Sequence, residues 1–228
     1  MRKQLTSMNP EFWHERWKKN DIGFHQDAIN TPLQEFWQKL GLQSGQRVFV
    51  PFCGKSRDIL WIQSQGHPVV GVEISPLAIE SFFKENHLQA VRVTEDKLIR
   101  WKCSSLEILC CDFFNLHKSH LEGVAAVYDR ASLVALPPEM RVRYIRHLIS
   151  LLPKGLSILL LTLDYNQKGM EGPPFSVSDE EVKELFEADF KIEKLQQQGV
   201  LDDFPRFKER GLAALTENVY RLRSKKEN

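Results

Sequence analysis

The chain has 228 residues, 42% of them hydrophobic and 27% charged, a composition that builds a folded core and excludes a disordered or low-complexity protein. Its formal net charge of +1 and pI near 7.7 exclude bulk electrostatic attraction to nucleic acid or to a membrane surface, so the expected partners are small molecules. No stretch approaches the roughly 18 apolar residues of a membrane-spanning helix, and MRKQLTSMNPEFW has a basic pair with no apolar run behind it, so a soluble cytoplasmic protein is expected.

In chain order, Pro10 opens a helix that carries Trp13 and Trp17 at i,i+4 spacing. The pair reads either as a core stripe or as the wall of a ligand site. Because this helix has few aliphatic residues of its own, residues 9–42 are expected to form a helical cover. Thr31-Pro32 caps a second helix in that segment, with Leu33, Phe36, Trp37 and Leu40 on one face and Gly41 at its end.

The stretch from Arg47 to Ser75 organises the rest of the chain. Val48-Phe49-Val50 is too short for a helix and β-rich, a buried strand that breaks at Pro51 into a turn holding Gly54. A helix runs from Ser56, with Asp58 in its first turn and Ile59, Leu60 and Ile62 apolar, until Gly66-His67-Pro68 stops it. Val69-Val70-Gly71-Val72 is a second buried strand, ending on Glu73. This is a βαβ unit with a right-handed crossover, and open α/β sheets bind ligands at the carboxyl ends of their strands.

Gly54 lets a ligand approach the backbone, and the amides opening the next helix point to the same place. Glu73, nineteen positions on, can accept hydrogen bonds from both hydroxyls of a ribose. The loop has one glycine where a dinucleotide fingerprint has three, so an adenosine cofactor without phosphates fits it better. S-adenosylmethionine is the expected cofactor. The plainer reading is a turn glycine and a solvated strand end, against which stands the ordered series of strand, glycine turn, helix, strand and terminal acid.

Ser75-Pro76 opens a helix through Ala78, Ile79, Phe82 and Phe83. Residues 91–102 alternate briefly and suggest a small hairpin beside the sheet. Leu106 to Cys111 reads as a third strand with Asp112-Phe113-Phe114 at its carboxyl end. Asp112 reads equally as an acceptor for the adenine amine, covered by Phe113, and as a helix N-cap beside a core phenylalanine. Gly123 to Tyr128 is a fourth strand that ends in Asp129-Arg130, and an ion pair of Arg130 with Asp129 or Glu139 is its structural alternative. The helix from Pro138 turns Met140, Tyr144, Ile145, Leu148 and Leu152 inward and sets Arg141, Arg143 and Arg146 on a solvated face.

Leu156 to Asp164 is the most hydrophobic strand and is expected at the sheet's centre. Residues 165–177 form a functional loop by their length and their glycine and proline content. Ser178 caps a further helix, and Phe190 to Gln197 and Leu212 to Leu222 read as two antiparallel strands. The four cysteines, at 53, 103, 110 and 111, lack CxxC spacing and read as buried thiols, with no metal site. The whole is expected to be one α/β domain over residues 1–228, a doubly wound Rossmann-like sheet, mostly parallel with an antiparallel carboxyl-terminal strand and helices on both faces. With no exposed apolar stripe in the pattern, a monomer is expected.

EFWHERW, IGFHQ, RVFVPFCGKSRDILW, GHPVVGVEIS, CCDFF, YDRASLVALPPEMR and GPPFSV follow one another in this chain. Together they resemble the thiopurine S-methyltransferases, from Pro10 to Leu222. The resemblance implies a class I methyltransferase fold, S-adenosylmethionine as methyl donor, and transfer to the sulfur of small aromatic or heterocyclic thiols, with selenium and tellurium compounds as related acceptors. It implies that Trp17, with Trp13 in the same cover, packs on the cofactor, that Glu73 binds the ribose and that Asp112-Phe113 sits beside the adenine. By the same resemblance Arg130 is the catalytic positive charge at the junction of cofactor and substrate. Phe24 and Pro174 would be the apolar faces that hold a flat substrate, and Arg206 a second arginine on that side. Phe52 stands where the family usually has leucine; with the backbone contact kept this changes little, whereas the larger ring would narrow the cofactor pocket. A dinucleotide-dependent oxidoreductase is disfavoured by the single glycine, and a non-catalytic adenosyl-ligand binder would not need both halves of the site.

Overall fold

Short apolar runs of period two build one nine-stranded sheet in the computed structural model, which describes residues 9–23 and 25–225. The helix α1 (Pro10–Lys18) comes first, then α2 (Thr31–Phe36) with a 3₁₀ turn over Trp37–Leu40. The unit β1 (Arg47–Val50), α3 (Asp58–Ser64), β2 (Val69–Glu73) leads to α4 (Pro76–Glu85), β3 (Val91–Glu95), β4 (Leu98–Cys103) and β5 (Leu106–Cys110). After β6 (Val124–Asp129) come α5 (Pro138–Leu151), β7 (Ser157–Asp164), α6 (Asp179–Phe186), β8 (Phe190–Gly199), α7 (Pro205–Glu209) and β9 (Thr216–Ser224).

The strand order is β3-β4-β5-β2-β1-β6-β7-β9-β8, with β5-β2-β1-β6-β7 parallel and the flanking pairings antiparallel. The doubly wound, mostly parallel expectation holds, with three refinements. Residues 91–102 do form a hairpin, but β4 pairs with β5, so the hairpin is the sheet's own edge. The most hydrophobic strand, β7, lies inside the sheet but not at its centre, which is β1; its apolar character follows from burial on both faces, which the parallel strands β1, β2 and β6 share. The last strand starts at Thr216 rather than Leu212, because Leu212 and Leu215 pack with Phe207 and Tyr165 in a separate cluster.

Alternation along β1 separates the two layers. Val48 and Val50 face Leu33, Trp37, Ile59, Ile62 and Phe82, from α2 through α4, whereas Phe49 lies in the layer of Tyr144, Leu148 and Phe186, from α5 and α6. Each fully buried side chain of this size contributes roughly 1.5–3 kcal/mol, so the layers hold the strand ends rigidly. The second helix belongs to this core and not to a cover: Asn30, whose side chain accepts from the Leu33 amide at 3.0 Å, caps it rather than Thr31, and Leu33 is fully buried.

One expectation for α5 is overturned. Arg141 is fully buried instead of solvated. Its guanidinium donates to the carbonyls of Leu136 and Ser176, both at 3.0 Å, and pairs with Glu181 at the start of α6. Arginine at an inward position is tolerated here because every side of the group is answered by an acceptor.

Candidate active site

A cavity of about 230 Å³ lies at the carboxyl ends of the parallel strands. Its floor is Gly54 after β1, Glu73 and Ile74 at the end of β2, Asp112 and Phe113 after β5, and Ala131 after β6. Trp13, Arg16 and Trp17 of α1 lie on one side, and Pro173, Pro174, Arg206 and Phe207 on the other.

The turn after β1 requires its glycine twice over. Gly54 has φ +53, and a Cβ there would sit 3.2 Å from the Trp17 indole, so α1 closes directly on the bare backbone. The Gly54 amide donates to Glu73 Oε2 at 2.9 Å and the Ser75 amide to Oε1 at 2.7 Å. Glu73 is only 6% exposed. Burial raises its pKa to about 7, an effect that the amides at Ser75, Gly54 and Ile74 offset only in part. A carboxylate offers about four acceptor positions, so the two amides leave acceptor capacity for donors in the cavity.

Asp112 caps a turn, as its second reading expected, and stands at the cavity. Its Oδ1 accepts from the Phe114 amide at 2.9 Å and so caps the short 3₁₀ turn Phe113–Asn115, and it also lines the cavity. Phe113 is 3% exposed, a core residue with one face to the cavity, its ring tilted 43° to Tyr144 at 4.9 Å between centroids. Phe52 joins this aromatic group, perpendicular to Phe113 at 5.5 Å, from a backbone held at φ 46, a left-handed conformation that disfavours a side chain of this size. Its ring therefore lies against Phe113 and Tyr144 on one wall while still lining the cavity.

Arg130 lies elsewhere. Among the described residues it is not part of the cavity wall: its Nε lies 3.1 Å from Asp58 Oδ2 and its Nη1 donates to Gln26 Oε1 at 2.7 Å. The reason is Asp58, which is 1% exposed and also accepts from Tyr128 Oη at 3.0 Å and the Asn30 amide at 2.9 Å. A carboxylate that deep requires a counter-charge, and Arg130 supplies it. The alternative partners do not, since Asp129 accepts instead from Tyr144 Oη at 2.7 Å. Phe24 lies outside the described residues.

Of the remaining expected positions, Trp13, Trp17, Pro174 and Arg206 all reach the cavity. The loop that carries Pro174 is heavily tied: Tyr165 Oη donates to the Pro174 carbonyl at 2.6 Å, the Phe175 amide to the Val134 carbonyl at 2.7 Å, and Ser176 Oγ to Asp164 Oδ1 at 3.0 Å. Arg16, Asp21, Arg143 and Arg210 also line the cavity, and the reading of the chain missed them. Arg16 stands at i+3 from Trp13 on the face of α1 that the tryptophans mark, which was a usable signal. Arg143, exposed and read as solvated, lies 4.0 Å over the Phe114 ring and borders the cavity. Among the described residues no group of three or more His, Cys, Asp and Glu side chains is arranged to hold a metal.

Known proteins match this architecture closely. The family model described as Thiopurine S-methyltransferase matches residues 8–225. The thiopurine S-methyltransferase of Nitrosospira multiformis is 49% identical over 215 residues, covering 94% of this chain and 98% of its own, and that of Pseudomonas fluorescens is 47% identical over 216 residues, covering 95% and 99%. Among solved structures, a SAM-dependent methyltransferase from Anabaena variabilis superposes with a TM-score of 0.65 at 16% identity, covering 95% of each chain. The 1,6-didemethyltoxoflavin-N1-methyltransferase of Burkholderia thailandensis, with bound 1,6-didemethyltoxoflavin and S-adenosylhomocysteine, gives 0.62 at 16% identity, covering 95% of this chain and 87% of its own. At that identity the structural likeness speaks for the Rossmann-like methyltransferase fold alone. Relatives nearly half identical over almost their full length speak for more, and the chain belongs to the thiopurine S-methyltransferase family.

Proposed function

We propose that the protein transfers a methyl group from S-adenosylmethionine to the sulfur of a small aromatic or heterocyclic thiol, thiopurines included. One observation carries the reading: the Glu73–Gly54 corner and the Pro174–Arg206 wall open into the same cavity. The names of the curated relatives support the acceptor class.

The residues fit an adenosine cofactor. Glu73, with unfilled acceptor capacity, would take the ribose hydroxyls; Asp112 would accept from the adenine amine, with Phe113 and Phe52 along the ring; Trp13 and Trp17 would close over the Gly54 turn. S-adenosylmethionine supplies, when bound, an electrophilic sulfonium methyl that a thiolate takes with its lone pair while the sulfonium C–S bond breaks, leaving S-adenosylhomocysteine.

The chain's own part is positioning and charge. Heteroaromatic thiols ionise near neutral pH, so no side chain need act as a strong base. Arg206, on the cavity wall, attracts and orients the thiolate, and Pro174 gives a flat face that accepts ring systems without strict hydrogen-bond demands. Arg130 acts one layer back, holding Gln26 of the amino-terminal segment to Asp58 at the start of α3. The same nucleophile logic extends to selenium and tellurium compounds. We place the protein in the cytoplasm as a single-domain monomer; no helix among the described residues is long and apolar enough to cross a membrane.

The test is methyl transfer from labelled S-adenosylmethionine to a panel of thiophenols, thiopurines, aliphatic thiols, selenite and tellurite, with calorimetric binding of S-adenosylhomocysteine alongside. Transfer to aromatic thiols is expected. Tight cofactor binding with no transfer to any member of the panel would overturn the acceptor class, and no binding would overturn the role of Glu73.

A further inference from the structure

The turn that follows β1 does not hang free over the cavity but rests on β2. Two consecutive amides tie it there: Cys53 donates to the Val72 carbonyl at 2.9 Å and Gly54 to Glu73 Oε2 at 2.9 Å. Beside these bonds the Cys53 side chain lies on Gly71, in the apolar layer that also holds Val50, Val69 and Ile108. A Cβ at Gly71 would fall 2.7 Å from Cys53 Sγ and 3.4 Å from Cys53 Cβ, too close for the sulfur to stay where it is.

Space alone calls for glycine at this position. The φ of Gly71 lies outside the left-handed region, so its backbone would accept other residues. Gly71 is paired with Val50 on one side and Ile108 on the other, so the strand is held from both edges and the turn is the part that would yield. The thiol has nowhere open to go, since Cys53 is 5% exposed. Burial first, and then the charge of Glu73, pushes that thiol well above its ordinary range, so the sulfur is a neutral packing atom and not a nucleophile.

We propose that Gly71 and Cys53 are positioning residues for the cofactor: the glycine leaves the space that the thiol fills, and this fit sets the spacing of the Gly54 turn from Glu73. The spacing matters because the Gly54 amide holds one oxygen of Glu73 and because α1 closes on the same bare backbone. A turn lifted by the width of a methyl group would stretch the Gly54–Glu73 hydrogen bond and misplace the corner that takes the ribose. This inference rests on the reading of Glu73 and Gly54 as the cofactor's corner and names what holds that corner in place.

The experiment measures S-adenosylhomocysteine binding by calorimetry from about pH 6 to about pH 8.5, across the range in which Glu73 ionises. The proteins are the full chain, Gly71→Ala, Cys53→Ala and the double variant, each also unfolded in denaturant. In the double variant the new methyl takes the volume that the sulfur vacates. Gly71→Ala is expected to weaken binding by about tenfold, a cost of the size that overpacking brings. In the Cys53→Ala background the same substitution should cost about threefold or less. The pH profile separates positioning from a mere loss of stability. The groups acting on Glu73 are the amides of Ser75, Gly54 and Ile74, and the thiols of Cys53 and Cys110 feel its charge; the Gly54 amide favours the ionised form. With that amide drawn off in Gly71→Ala, the pH at which affinity rises should move up by about 0.5, and in the double variant it should return to the wild-type value.

A folded Gly71→Ala protein that binds as the wild type does would overturn the inference, as would weakened binding that Cys53→Ala does not relieve or that leaves the pH midpoint unmoved. If Gly71→Ala does not fold, Cys53→Val crowds the same contact from the turn's side and should show the same weakening and the same upward shift. Wild-type binding by a folded Cys53→Val protein would then overturn the inference. In each of these cases binding by the wild type leaves the cofactor reading standing, whereas no binding by the wild type would overturn both.

Discussion

Glu73 concentrates the conflict between folding and binding. Its pKa near 7 lies above the ordinary value of 4.5, so the folded state favours the proton. Its stabilising contribution is therefore fully present below about pH 4.5 and is lost as pH rises through about 7, a change on the order of 3 kcal/mol for a buried group. The stability difference between the free wild-type protein and Glu73→Gln should shift against the wild type by about that much between roughly pH 4.5 and pH 8 in denaturant titrations; a constant difference would mean that the carboxylate is solvated. Ribose hydroxyls favour the ionised form, so cofactor affinity should rise as pH rises through 7. Binding near neutral pH should release protons, detectable by calorimetry in buffers of different ionisation enthalpy, and Glu73→Gln should show neither effect. The arginines separate in the same way. Arg206→Ala should raise KM for thiols by tenfold or more with cofactor affinity nearly unchanged. Arg130→Ala should lower turnover more than cofactor affinity, and equal loss of both would end its assigned role. Glu73 was legible because a strand-end acid sits at a fixed distance from a glycine turn. The partner of Arg130 was not, since Asp58 is seventy-odd positions upstream and becomes a neighbour only through the pairing of β1 with β6.

The site's acceptor wall depends on α5, an element whose apolar positions were read correctly and whose arginines were not. Period 3.6 separates Met140, Tyr144, Ile145 and Leu148 from Val142 and Arg146 without difficulty. Arg141 stands beside Met140 at the edge of that stripe, and its burial is decided by what arrives later: the carboxylate of Glu181 and the carbonyl of Ser176. Replacing it with methionine keeps the volume but orphans two carbonyls and leaves a half-buried glutamate unpaired, so a loss of about 3 kcal/mol is expected in denaturant unfolding. Because Ser176 lies two residues beyond Pro174, the same variant should loosen the proline face and raise KM for thiols severalfold while cofactor affinity stays near wild type. Lysine at 141 restores the charge without the forked geometry and should recover stability only in part. A KM unchanged in a folded Arg141→Met protein would show that Tyr165 and Val134 hold the loop alone.

At the scale of the molecule, local pattern located the strands but not their neighbours. The run Val91 to Cys103 carries the alternation of a hairpin, yet its antiparallel attachment to β5 is a long-range fact, as is the placing of β7 beside β9. What the completed sheet does is gather into one cavity segments far apart in the chain: α1, the ends of β2 and β5, the loop at 173–174 and α7. Of these, α1 is weakly anchored by comparison with the strands, burying only Trp17 of its own residues. A ligand that touches all of them binds the folded state and not the unfolded one, so S-adenosylhomocysteine at a hundredfold excess over its Kd should stabilise the protein by about 2.7 kcal/mol. For a chain of this length that is roughly 5–10 °C in melting temperature. The gain should not be spread evenly. Amide hydrogen exchange is expected to slow most in α1, in the Gly54 turn and around Asp112, where the adenosine would bridge α1 to the strand ends, while the amides of β1 and β7, already protected by the core, should change little. Addition of an aromatic thiol should then extend protection to the 165–177 loop and α7. Protection of α7 by the cofactor alone would instead place the cofactor at the arginine end of the cavity, reversing the two halves assigned here.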